Sequence, residues 1–60
     1  MSLLAGVEKY LRRNGMAAAR FGREVMGDAG FVFGLRRGRE PRAATVARVL
    51  AWLEAHGGDR

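Results

Sequence analysis

The sequence contains no cysteine, so disulfides, thiolate metal ligands and thiol nucleophiles are excluded together. Hydroxyl groups are nearly as scarce, with Ser2, Thr45 and Tyr10 making up the whole supply. His56 is the single histidine, so neither a His-based triad nor a metal site can be assembled around it. A lone histidine in a last helical turn more commonly complements the helix dipole. On this inventory no enzyme, no metal and no cofactor is expected. No apolar run approaches the roughly 20 residues of a membrane span, and no charged-then-apolar leader opens the chain. The expectation is a cytoplasmic protein with no membrane partner and no evident small-molecule ligand.

Acids are also in the minority. Six Asp and Glu face eleven Lys and Arg, ten of them arginine, for a net charge of +5. The guanidinium fork meets phosphate oxygens at two points and never loses its charge, so this balance favours a polyanionic partner. Sixty residues make one small domain, 1–60. A chain of that length hides only about 60% of its unfolded surface. Function must therefore be carried on a surface, because little volume is left to enclose a substrate.

What the chain does contain is helical periodicity. Leu3, Leu4, Val7 and Leu11 recur at three- and four-residue steps with Tyr10 beside them. Ser2 can cap this helix and Asn14-Gly15 can end it. A second stripe, Ala18, Phe21, Gly22 and Val25, begins after Ala17, which offers no side-chain cap. Asp28 reads as the N-cap of a third helix whose inward residues are Phe31, Val32 and Leu35, with Gly38 as its left-handed C-terminal residue. The single proline, Pro41, disfavours helix at Glu40. A last helix then runs from about Ala43 through Val46, Val49, Leu50 and Leu53 to His56 and Gly57-Gly58. Only "GFVFGL" alternates with period two, and a short strand there is the competing reading.

Two short helices joined by a brief turn, the second ending in arginines, describe a helix-turn-helix at about residues 17–37, with the last helix at about 43–56. Gly22 is a gap without a bulky side chain, "VMGD" is a break, and Val32 and Leu35 are two knobs to bury. The segment from Ala17 to Val49 resembles the helix-turn-helix of the lambda-repressor and Cro family, also called XRE-like. The resemblance is carried by "RFGREVMGD", by "VFGLRRGREP" and by the following amphipathic "TVARVLAWL". It implies an all-α fold, four short helices in a compact helix-turn-helix domain of lambda-repressor-like type. It also implies sequence-specific double-stranded DNA binding by a small bacterial or phage transcription regulator, cytoplasmic and nucleoid-associated.

On that reading the Asp28 to Arg37 helix lies in the major groove. Its outward residues Ala29, Gly30, Phe33, Gly34 and Arg37 are the candidates to meet base edges, Phe33 by apolar contact with a thymine methyl. Arg20, Arg23, Arg36, Arg39 and Arg42 are the candidates to hold phosphates, Arg42 together with the amides at the start of the last helix. Trp52 is a dimer-contact candidate, and a homodimer would set two recognition helices about 34 Å apart. Each assignment has a structural rival. Phe33 reads equally as core or as a contact for a protein, Gly30 and Gly34 as close-packing residues, Arg36 and Arg37 as partners of the helix dipole, and Trp52 as an edge-of-core residue. The competing function is a protein-protein interaction module on the same scaffold, for a phage or toxin-antitoxin partner, using "GFVF" as its contact.

Overall fold

The hydroxyl of Ser2 accepts a hydrogen bond from the Ala5 amide at 3.2 Å and starts α1, Leu3–Asn14. The computed structural model describes residues 2–56. It contains α2, Ala18–Met26, α3, Phe31–Arg36, and α4, Ala43–Ala55, with no strand among the described residues. The helix expected over "GFVFGL" is thus present, and the competing strand reading is excluded. Val32 and Leu35 are both buried at a three-residue spacing, which a helix satisfies and an alternating strand does not.

The breaks fall where the chain can make them. Gly38 adopts a φ of 97°, its amide donates to the Leu35 carbonyl at 3.0 Å, and the Arg39 amide donates to the Gly34 carbonyl at 3.0 Å. That pair of bonds satisfies two carbonyls at the end of α3 and turns the chain toward Pro41. The last helix ends at His56, whose amide donates to the Trp52 carbonyl. Gly57-Gly58, expected to follow it, lie outside the described residues.

All four helices contribute to one core: Val7, Tyr10 and Leu11 from α1, Phe21 and Val25 from α2, Val32 from α3, Val49 and Leu53 from α4. Trp52 is half-buried at its edge, as expected for an edge-of-core residue, with its ring edge-on to both Tyr10 and Phe21 at 5.3 Å. Leu50 departs from the expected stripe, standing 50% exposed. It lies about 100° around the helix from Val49. α4 packs on α1 and α2, and the flank that carries Leu50 faces solvent.

Gly22 explains how α3 comes so close to α2. A Cβ built there would collide with the main-chain carbonyl of Asp28, and would also lie 3.3 Å from the Phe31 Cβ. The Asp28 carbonyl cannot swing aside cheaply, because it accepts the Phe31 amide at 3.1 Å, while the Asp28 amide donates to the Gly22 carbonyl at 3.0 Å. Gly22→Ala sets two effects against each other. Helix propensity favours alanine by about 1 kcal/mol, whereas forcing a methyl into a packed contact costs about 1–3 kcal/mol. The backbone collision wins, so a lower unfolding midpoint in urea is expected; a raised midpoint would show that the α2–α3 contact is loose.

Candidate nucleic-acid interface

The start of α3 differs from the sequence expectation. Asp28 does not cap the helix. Its Oδ1 accepts the Gly30 amide at 2.9 Å and its carbonyl accepts the Phe31 amide, so residues 27–30 form a turn and the helix begins at Phe31. The break consequently falls later than "VMGD", since Val25 and Met26 are still in α2. A side-chain oxygen that bonds two residues ahead serves a turn as well as a cap, and the Gly22 approach decides in favour of the turn.

The five base-contact candidates are thereby divided. Phe33 and Gly34 lie on α3, Arg37 caps its C-terminal end, and Ala29 and Gly30 sit in the preceding turn instead of on the helix. Phe33 points outward and is 40% exposed. Gly34 is half-buried because the Arg39 side chain lies along it; a Cβ at Gly34 would stand 3.4 Å from the Arg39 Cδ. Asp28, Gly30, Gly34, Arg37, Gly38 and Arg39 border one shallow depression. Arg39 also borders a neighbouring cleft of about 360 Å³ that reaches Phe31, Pro41, Arg42 and Thr45 and that Asp28 and Glu40 line as well.

At the far end of that cleft α4 begins without a capping side chain and without an acid in its first turn. The first four amides of any helix lack intrahelical partners. Only from Val46, whose amide donates to the Arg42 carbonyl at 3.0 Å, do the α4 amides bond within the helix. The amides of Ala43, Ala44 and Thr45 are thus directed out of the helix start beside Arg42, an arrangement suited to an anion.

The phosphate-contact candidates also divide. Arg23, Arg39 and Arg42 are exposed and make no ion pair among the described residues, as is true of Arg37. Arg20 is paired along α2 with Glu24 at 2.9 Å, an exposed contact of little energetic weight. Arg36 is committed elsewhere: its Nε and Nη2 donate to the two carboxylate oxygens of Glu8 at 2.7 and 2.9 Å, and its guanidinium lies 5.5 Å from the centre of the Phe33 ring.

Glu8 was not visible from the sequence as a partner, since 28 positions separate it from Arg36. The only local signal was its isolation as an acid on α1 among Lys9, Arg12 and Arg13. The hydrogen bonds from Arg36 hold its carboxyl below the usual glutamate value of 4.5, with the Arg36 and Arg12 charges acting in the same direction against desolvation. A depressed carboxyl pKa stabilises the fold above the unfolded-state value and ceases to do so as pH falls through the folded-state value. Thermal melts from pH 6 down to pH 2.5 are expected to show an acid-side fall in midpoint that is shallower in Glu8→Gln. Parallel curves for the two proteins would remove Glu8 from the acid response.

Trp52 stacks on His56 at 3.9 Å in addition to its core contacts. No group of three or more His, Cys, Asp or Glu among the described residues is placed to hold a metal, and no helix among them is long and apolar enough to cross a membrane.

The described residues form an all-helical domain of four short helices, with arginines around a shallow surface that runs from α3 to the start of α4. Comparison with protein families, with curated proteins and with solved structures finds no match to the chain.

Proposed function

We propose that this protein binds double-stranded DNA sequence-specifically, as a small bacterial or phage transcription regulator whose helix-turn-helix is of the lambda-repressor-like type. The observation that carries this reading is the surface at the α3–α4 junction. Arg37, Arg39 and Arg42, none of them in an ion pair among the described residues, outnumber Asp28 and Glu40 around two adjoining depressions that end at the outward-directed amides of α4, and the exposed Phe33 stands on α3 outside their lining. Phosphates would be held by Arg39, Arg42 and the α4 amides, with Arg23 on the neighbouring helix. Arg37 and Phe33 would meet base edges in the major groove, Arg37 at guanine and Phe33 at a thymine methyl. The protein acts by occluding or recruiting at a promoter and performs no chemistry of its own.

Selection from a random duplex library, with sequencing of what is retained, tests this directly. An enriched motif is the expected result. Arg37→Ala is then expected to weaken binding to the enriched duplex by about 1–3 kcal/mol and to spare random DNA. Equal loss on both would make Arg37 a phosphate contact.

A second reading, a protein-interaction module on the same scaffold, draws support from the exposed Phe33 ring. It predicts no enrichment from the library and capture of a protein partner that Phe33→Ala abolishes.

A further inference from the structure

α3 has only six residues, with glycine at its N-cap and again at position 34. A helix so short cannot hold its own geometry, and its shape depends on what it packs against. Val32 and Leu35 decide which side is buried, but they do not fix the side chains on the exposed side. One of those is fixed from another element. The Arg36 guanidinium, held at two points by the Glu8 carboxylate of α1, lies over the Phe33 ring.

An exposed phenylalanine on a helix ordinarily exchanges between rotamers. A guanidinium over the ring face restricts that exchange, and a two-point carboxylate contact holds the guanidinium in one plane. The contacts therefore run in series, from the α1 carboxylate to the α3 guanidinium to the ring.

We infer that Glu8 is a positioning residue for recognition, which through Arg36 sets where the Phe33 ring stands on α3 and hence which base step it selects. This rests on the DNA-binding reading. On this inference Glu8 acts through Arg36 and not on DNA itself. It also withdraws Arg36 from phosphate contact, because the guanidinium charge is matched by a carboxylate within 2.7 Å.

Removing the carboxylate then has two consequences of opposite sign. One negative charge fewer favours every duplex alike, while a freed ring lowers the preference for the correct one. An ion pair that served stability alone would weaken binding to both duplexes together.

The test compares the duplex selected by the wild type with a scrambled duplex of equal length at one salt concentration. It uses wild type, Glu8→Gln, Phe33→Ala, the double variant and Arg36→Lys. In Glu8→Gln the preference for the selected duplex is expected to fall about tenfold, the size of one mismatched base pair, with scrambled-duplex affinity unchanged or higher. In the Phe33→Ala background the same substitution should change the preference by less than about twofold, because the two residues act in series. Arg36→Lys keeps the charge but loses the two-point contact, and should reproduce the loss of preference even where Glu8→Gln does not fold. Equal losses on both duplexes, a tenfold effect that persists without the Phe33 ring, or full preference in Arg36→Lys would each overturn the inference. A wild type that does not distinguish the duplexes overturns the DNA-binding reading first, before any variant is measured.

Discussion

Phe21→Ala is expected to abolish most of the folded population near 37 °C. Phe21 is fully buried and is the largest side chain among the described residues to be so. Its ring lies 5.9 Å from Tyr10 and 5.3 Å from Trp52, so one truncation empties the point where α1, α2 and α4 meet. Phenylalanine-to-alanine changes in a core cost about 3–5 kcal/mol. A 60-residue chain has about 3–9 kcal/mol of stability in total. The loss is therefore comparable with the whole, and far-UV circular dichroism should show a midpoint lower by about 15–30 °C, at the several degrees per kcal/mol usual for small domains. Phe33→Ala supplies the contrast. That ring is 40% exposed, and its removal should change stability by no more than about 0.5 kcal/mol. A midpoint for Phe21→Ala within a few degrees of wild type would show that the four helices are not assembled around that ring.

The second large effect concerns salt. Each phosphate neutralised by an arginine releases condensed counterions, and log K falls with log salt at a slope of about −0.9 per phosphate. Arg23, Arg39 and Arg42 carry no competing ion pair among the described residues, and Arg20 has only an exposed one. Three to four contacts give a slope of about −3, and affinity should drop about 40- to 150-fold between 50 and 200 mM salt. Glu8 keeps Arg36 out of that count, so Arg36→Gln should leave the slope unaltered. A slope near zero would mean that the arginines do not meet a polyanion, and would leave the exposed Phe33 as the principal contact.

How much of this was legible from the sequence depends on range. The Ser2 cap, the left-handed Gly38 and the missing cap at Ala17 are decided by a few neighbouring residues, and each stands where local chemistry put it. The need for a gap at Gly22 was legible too, because two helices joined by a short turn must approach closely somewhere. The start of α3 was not. Asp28 has the same side-chain chemistry for a turn and for a cap, and the choice is made by contact between Gly22 and the Asp28 carbonyl, which lies outside the local sequence. Leu50 was misjudged for a related reason. Its spacing suits a wide apolar stripe, but whether a second flank of α4 is covered depends on how many elements surround it. Within the candidate site, the outward direction of Phe33 followed from periodicity, whereas the Glu8–Arg36 contact belongs to tertiary structure alone.

Trp52 is the sole tryptophan of the chain, and its ring contacts are to Tyr10 of α1, Phe21 of α2 and His56 at the end of its own helix, none of them in α3. The molecule thus carries its own optical reporter, at the edge of the core among rings of α1 and α2 and with no ring contact to α3. Its emission should follow assembly of the fold and stay nearly silent when α3 is occupied. Unlabelled protein can then have its folding and its binding titrated in one cuvette as separate signals.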